Sequence, residues 1–300
     1  LSGEKDKIII RRQKMPNTPQ SIKVDEVMVR DVARAELPGS RDEVLEILKT
    51  KHISGVPIVK NGQVAGIVTR TDLLKHPEEE QIAILMTRNP VTITSDKSIV
   101  DAARIILDNN IRRLPVVENG NLIGLITIAD IVGAIGRLNI TKPISDYIGN
   151  NVVSVWSETP ISVVGEIMEL ADVKAVPILD LMLTLVGVAS DKDLISASII
   201  TDKTEMSDMS AGSDDDAWTW ESMRDTMSLY YSVSKIQLPN SPVKDLLKLT
   251  GDPETALLSS QVSECARKMR RKRIDQLPVI TSSKKLLGLV RDKDLLKAIV

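Results

Sequence analysis

The sequence predicts a mixed α/β (α+β) fold made of four βαββα repeats that pair two by two. The first observation behind this is a single stretch, Leu114 to Val132 (LPVVENGNLIGLITIADIV). It holds an apolar run, the turn dipeptide Asn119-Gly120, a second apolar run and a Thr127-x-x-Asp130 helix start. The second observation is that these landmarks recur, at Val56-Pro57, Gly66, Thr69 and Asp72; at Val176-Pro177, Gly187, Ser190 and Asp193; and at Leu277-Pro278, Gly288, Arg291 and Asp294. The Pro-to-Gly gap is 9 residues in the first two copies and 10 in the last two, and the Gly-to-Asp gap is 6 in all four. So fixed an internal ruler is the mark of a repeat architecture. The third observation is size: a unit of about sixty residues buries too little surface to stand alone, so the repeats must pair through their sheets.

In chain order, residues 1–21 are charged, end in Pro16 and Pro19, and read as an arm with a strand at Ile8–Ile10. The first repeat, 22–80, opens at Val24-x-x-Val27-Met28. Ser40-x-x-Glu43 caps a helix bearing Val44, Leu45 and Leu48, and two strands, Val56–Val59 and Val64–Val68, join through Asn61-Gly62. The second repeat, 81–138, opens at Ile84-Leu85-Met86, and Ser98-x-x-Asp101 caps its first helix. The third, 139–200, has Pro160 at a helix start but lacks Asn-Gly at its hairpin, Asp180-Leu181-Met182. Residues 201–240 break the rhythm: successive repeat glycines lie 58, 63 and then 101 residues apart. Thr201 to Asp216 reads as a solvated, mobile acidic linker, Trp218 to Asp225 as a short helix and Leu229 to Ile236 as a strand. The fourth repeat occupies 241–300.

Composition bounds the function. With 42% hydrophobic and 27% charged residues the chain can bury a core, and with 2% aromatics and no Phe that core must be aliphatic. A net charge of −2 gives no general pull toward nucleic acid or an acidic membrane. The single cysteine, Cys265, excludes an internal disulfide and fits a reducing, cytoplasmic setting. No apolar run reaches membrane-span length, and the N-terminus lacks a signal-peptide core. The chain begins with Leu, which is consistent with a processed or cloned fragment. His52 and His76 have no metal spacing, and no phosphate-binding glycine loop or nucleophile elbow occurs, so neither a metal nor an enzyme activity is expected.

The opening h-x-x-h-M segment, the h-P-h-h strand and the G-h-h-[ST]-x-x-D ending together resemble the CBS domain, over nearly the whole chain outside the arm and residues 201–240. The resemblance implies that two repeats form a Bateman module by sheet packing, and that inter-repeat clefts take AMP, ADP, ATP or S-adenosylmethionine as a regulatory ligand. It also implies that modules assemble within a chain or between chains, so a homodimer through the CBS modules and an effector protein are the expected associations. Nucleic acid and membrane are not.

Within that resemblance the ribose and phosphate residues are Thr69 and Asp72, Thr127 and Asp130, and Ser190 and Asp193, with Asp294 alone in the fourth copy, where Arg291 replaces the hydroxyl. The chemistry suits them: two carboxylate oxygens match a vicinal diol, and a helix N-terminus favours phosphate. The residues before each h-P-h-h strand reach base or phosphate, namely Ser54-Gly55, Arg112-Arg113 and Lys174-Ala175; in the fourth copy they are Asp275-Gln276. Thr87 and Thr92 are expected against the base.

Competing readings exist for each. An [ST]-x-x-D element is also a helix capping box that needs no ligand. Arg112-Arg113 could be a solvated surface. Arg267 to Arg273 reads as the polar face and C-terminus of an amphipathic helix rather than a phosphate or nucleic-acid patch, since the net charge is −2 and aromatic residues do not interleave it. Asp214–Asp216 lacks calcium-loop spacing. The expected function is regulatory binding of an adenosine ligand, with S-adenosylmethionine sensing or a ligand-free oligomerisation scaffold as alternatives.

Overall fold

A computed structural model describes residues 18–300 except 52, 70–71, 74–75, 77–78, 150, 191–192, 195–196, 198, 208–228 and 251. Of the features expected above, the strand at Ile8–Ile10, His52, the acidic triplet and the Trp218–Asp225 helix lie outside the described residues.

The first repeat contains α1 (Val24–Val27), β1 (Ala35–Glu36), α2 (Arg41–Thr50), β2 (Gly55–Lys60) and β3 (Gln63–Thr69). The second contains α3 (Ile82–Leu85), β4 (Thr87–Arg88), α4 (Ile99–Asp108), β5 (Arg113–Glu118), β6 (Asn121–Thr127) and α5 (Ile128–Arg137). Then follow β7 (Val155–Trp156), α6 (Ile161–Leu170), β8 (Ala175–Leu179), β9 (Leu185–Ser190), β10 (Ile199–Ser207) and β11 (Leu229–Gln237). The chain finishes with α7 (Lys244–Thr250), α8 (Val262–Lys272), β12 (Gln276–Ile280), β13 (Leu286–Arg291) and α9 (Asp292–Leu296).

The helix starts follow local capping chemistry. Glu43 N–H donates to Ser40 Oγ at 3.3 Å, and Asp101 N–H to Ser98 Oγ at 3.1 Å, so each serine satisfies one of the orphan donors of its helix. The hairpin turns need left-handed backbone. Asn61 and Asn119 (φ 52° and 50°) and Gly62 and Gly120 (φ 80° and 82°) supply it in the first two repeats. The third repeat turns without Asn-Gly because Asp180 Oδ1 accepts N–H groups from both Met182 and Thr184 at 2.8 Å, which holds Leu183 at φ 60°.

One correction concerns residues 201–207, the start of the segment read above as a mobile linker; residues 208–216 lie outside the described residues. Ile199–Ser207 is instead a strand, paired antiparallel with Leu229–Gln237 through nine registered positions from Ile199↔Gln237 to Ser207↔Leu229. Its β-branched residues Ile199, Ile200, Thr201 and Thr204 favour a strand, a signal that the charges of Asp202, Lys203 and Glu205 obscured in the sequence.

The chain divides into two compact units. The first comprises 1–150, 255–279 and 287–300. Its main sheet runs β1-β2-β3-β6-β5, with β4 on β3, so the hairpins of the first two repeats form one sheet through Gln63↔Asn121. Around it lies a largely aliphatic core that includes Ile99, Ile106, Leu114, Ile126, Ile131 and Ile135 from the second repeat and Val262, Met269, Leu277 and Leu296 from the fourth. Helix α5 packs against α4, α8 and α9. Burial of each large aliphatic side chain contributes about 1.5–3 kcal/mol, so this shared core ties the second repeat to the fourth. Its buried hydroxyl is satisfied: Ser263 Oγ donates to Ile135 O at 2.8 Å and accepts Ile140 N–H at 2.9 Å.

The second unit comprises 151–254 and 280–286. It contains the sheet β7-β8-β9, the β10–β11 ribbon, and α6 over a core of Val155, Ile161, Val164, Val176, Ile178 and Leu246.

The repeat glycines mark where paired repeats exchange their opening segments. In the first unit Val29 and Leu125 exchange backbone hydrogen bonds at 2.9 Å, while Thr87 and Arg88 pair with Ile67 and Gly66. Each repeat thus lends its opening segment to the sheet of the other. A Cβ on Gly66 would lie 2.6 Å from Met86 Sδ, and one on Gly124 2.5 Å from Met28 Sδ. The same relation recurs between Gly187 and Leu247 (2.0 Å) and between Gly288 and Ile148 (2.5 Å). Only a residue without a side chain admits the visiting apolar group, which explains why glycine stands at this point of the ruler in all four copies.

Candidate functional site

The site is assembled by strand register. Gly55 lies opposite Thr69, Arg113 opposite Thr127, and Ala175 opposite Ser190. Cross-strand neighbours of this kind have Cβ positions about 4.5–5.5 Å apart, so each residue before an h-P-h-h strand faces the hydroxyl that opens the following helix.

At each hydroxyl the carboxylate three residues on folds back. Asp72 Oδ2 accepts Thr69 N–H (2.8 Å) and Oγ1–H (2.7 Å). Asp130 Oδ2 accepts Thr127 N–H (2.9 Å) and Oγ1–H (2.6 Å), and Asp193 Oδ2 accepts Ser190 N–H (2.9 Å) and Oγ–H (2.5 Å). The second carboxylate oxygen takes no part in these bonds. Ser98 and Asp101 make the same box (3.0 and 2.7 Å) inside the second repeat, and there it holds the Asp101 carboxyl below its usual range through the Ser98 hydroxyl and amide. The box alone therefore does not define a ligand site; what surrounds it does.

Around Thr69 the surroundings are specific. The Arg113 guanidinium reaches from the second repeat to the first, donating to Ser54 Oγ at 2.8 Å and lying over Gly55, where a Cβ would stand 1.3 Å from Nη1 and 3.2 Å from the Thr69 methyl carbon. Ser54, Gly55, Thr69 and Arg113 thus meet, with Asp72 bonded to Thr69. Thr87 lies on the neighbouring strand β4, whose partner on β3 is Ile67. Thr92 stands apart, lining a cavity of about 380 Å³ with Lys97, Asp101 and Arg104.

Arg112 faces the fourth repeat. Its Nη2 lies 2.6 Å from Asp292 Oδ2 and 3.4 Å from Asp275 Oδ2. The Asp292 side chain is only 7% exposed, and burial pushes its carboxyl up, with Arg112 opposing the shift. In the same repeat Asp294 Oδ2 accepts Arg291 N–H at 3.1 Å and Oδ1 accepts from Lys297 Nζ at 2.8 Å, so both oxygens are engaged. In the second unit Lys174 is exposed beside Ala175, and both sit at the edge of the β8–β9 hairpin.

Asp130 lines a second cavity, of about 450 Å³, together with Glu26 of α1, Arg137 of α5, and Arg267 and Arg270 of α8. Sequence reasoning assigned Arg267 and Arg270 to a polar helix face, because that helix meets α5 only in the fold. The amphipathic reading of α8 holds, with Cys265, Ala266 and Met269 buried, but its polar face borders this cavity as well as solvent. Burial raises the Cys265 thiol to about 11. Among the described residues, no group of three or more His, Cys, Asp or Glu is placed to hold a metal ion, and no helix is long and apolar enough to cross a membrane.

Comparison with known proteins agrees with the repeats. The chain is 28% identical over 191 residues to the uncharacterized protein MJ1225 of Methanocaldococcus jannaschii, covering 57% of this chain and 68% of that protein. It is 30% identical over 130 residues to inosine-5'-monophosphate dehydrogenase of Thermoplasma acidophilum, covering 43% of this chain but only 25% of that enzyme. The crystal structure of an uncharacterized conserved protein from Pyrococcus horikoshii superposes with a TM-score of 0.67 over 93% of this chain and 100% of that chain, at 24% identity, which speaks to the fold. The family model described as CBS domain matches four times, at residues 24–79, 80–137, 144–200 and 243–300, and the chain therefore belongs to the CBS-domain family.

Proposed function

We propose that this chain is a regulatory protein that binds an adenosine-containing ligand, AMP, ADP or ATP, in the cleft shared by its first two repeats, and passes the state of that cleft to an effector protein. The observation that carries the reading is the meeting of Arg113 with Ser54, Gly55 and Thr69, beside Asp72. A guanidinium suits phosphate oxygens, while the Asp72 oxygen left outside the capping box suits a ribose hydroxyl. Since the two sides of the cleft come from different repeats, a ligand spanning them changes the relative energy of module geometries. It can do so only by binding those geometries with different affinity.

The fourth repeat favours a second, local reading. With Asp294 engaged by Lys297, and Arg112 by Asp292 and Asp275, the Asp294 end of that repeat serves as scaffold rather than as a ribose site. Association into a homodimer through the modules belongs to the same proposal.

The test is isothermal titration of nucleotide-free protein with AMP, ADP, ATP and S-adenosylmethionine, repeated on Asp72→Ala. Saturable binding of an adenine nucleotide that weakens in a folded Asp72→Ala variant supports the reading. Absence of binding by all four ligands refutes it, and leaves oligomerisation as the role of the repeats.

A further inference from the structure

We infer that the cavity between α1, α5 and α8 is a phosphate subsite, in which Arg267 and Arg270 of the fourth repeat bind the phosphates of a nucleotide whose ribose is held by Asp130. The inference rests on the reading of Asp130 as a ribose ligand and adds what kind of adenosine compound that site takes.

Three observations carry it. First, Asp130 and the guanidinium groups line one cavity of about 450 Å³, within the range of small-molecule sites. Second, α5 is stripped of side chains where it meets α8: a Cβ on Gly133 would stand 3.3 Å from Arg270 Nε, and one on Gly136 3.2 Å from Arg267 Cγ. Glycine costs a helix interior about 1 kcal/mol relative to alanine, yet two stand here, and the room they leave is filled by arginine side chains. Third, the charges are unequal. Arg137, Arg267 and Arg270 face two carboxylates, and each carboxylate already accepts a backbone N–H: Asp130 from Thr127 at 2.9 Å, Glu26 from Lys23 at 2.8 Å. Arg267 is fixed by its bond to Gly136 O at 3.1 Å, while the Arg270 side chain makes no hydrogen bond or ion pair with a described residue.

A cavity with this surplus of guanidinium selects a phosphorylated adenosine over adenosine itself, and disfavours the cationic sulfonium of S-adenosylmethionine. Because Arg267 and Arg270 belong to the fourth repeat and Asp130 to the second, a nucleotide here bridges two repeats that are distant in sequence.

The experiment is calorimetric titration of the full chain, carrying Asp72→Ala to silence the other cleft, with adenosine, AMP, ADP, ATP and S-adenosylmethionine. Affinity is expected to climb from adenosine to ATP. Arg270→Ala is expected to weaken ATP by ~10-fold, the scale of one charge-assisted hydrogen bond, while adenosine binding changes less than twofold. The pair Arg267→Lys with Arg270→Lys should retain most of the preference for ATP and controls for folding, which a thermal melt checks. If Asp130→Ala abolishes binding but Arg270→Ala binds ATP like its parent, the phosphate subsite is wrong and the reading of Asp130 survives. If adenosine and ATP weaken together in Arg270→Ala, the arginine is structural and the subsite is again refuted. If the parent binds none of the five ligands, the subsite and the ribose role of Asp130 fall together.

Discussion

Replacing Gly66 by alanine tests the exchange of opening segments directly. The added Cβ would stand 2.6 Å from Met86 Sδ, 2.8 Å from Met86 Cγ and 2.9 Å from Thr87 O. Carbon atoms rest about 3.5–4.0 Å apart, so the thioether must move by about 1 Å. The Thr87 carbonyl cannot follow freely, since β4 is paired to β3 at that point. Overpacking of this kind costs about 1–3 kcal/mol. The φ of Gly66 is not positive, so alanine also gains about 0.4–1 kcal/mol from a less flexible unfolded chain. The expected net destabilisation is about 1–2 kcal/mol. Gly124→Ala provides the comparison: its Cβ meets Met28 Sδ at 2.5 Å but Met28 Cγ only at 3.2 Å and the Val29 carbonyl at 3.1 Å, so a shift of the sulfur alone relieves most of the strain. It should cost roughly half as much. Urea unfolding followed by circular dichroism reads both as a fall in midpoint with unchanged slope. A Gly66→Ala variant as stable as its parent, or less affected than Gly124→Ala, would refute the reasoning.

Three further outcomes follow from the geometry. Arg112→Ala leaves the Asp292 carboxylate buried without its partner. At pH 7 this should cost about 1–3 kcal/mol, discounted from the usual value for a buried pair because Arg112 is 39% exposed. Burial raises the Asp292 pKa in the folded state, so the native form binds a proton more readily than the unfolded chain. The deficit of Arg112→Ala should therefore shrink as pH falls toward the ordinary carboxylate range, and urea midpoints at pH 7 and 4.5 that move in parallel would contradict it. Gly55→Ala places a Cβ where Arg113 Nη1 now lies, evicting the guanidinium from Ser54; stability should change by less than ~1 kcal/mol while ATP affinity drops ~10-fold in titration. Cys265, buried and raised to about 11, should resist a thiol reagent at pH 8 in the folded protein and react fully in urea; rapid labelling without denaturant would show that α8 opens readily.

The repeat, its ruler and its helix caps were legible because they are local: Asn119-Gly120 specifies a turn, and Ser98 caps Asp101, whatever surrounds them. Even the glycines could be read as fixed points, though not the reason for them, since Met86 and Met28 arrive from the partner repeat. Arg112 shows the limit most clearly. Its partner Asp292 lies 180 residues away, and adjacent Arg113, chemically identical, goes instead to Ser54. Strand alternation sends neighbours to opposite faces, so one basic dipeptide serves two purposes. Arg267 and Arg270 were read as a polar helix face because their neighbour α5 is about 130 residues away in sequence, and β10 was missed because its charges outweighed its β-branched threonines in a reading without a partner strand.

The discontinuity of the first unit has a consequence for synthesis. Residues up to 150 leave the ribosome about 100 residues ahead of the segment from Thr255 that completes their core, a lag of ~5–20 s at ordinary elongation rates. During that interval the faces of Ile131, Ile135 and their neighbours await Val262, Met269 and Leu296. A nascent chain in this condition is a natural client for a holdase. Substitutions in α8 should then be felt first as lost yield in the cell, before any change registers in a purified sample.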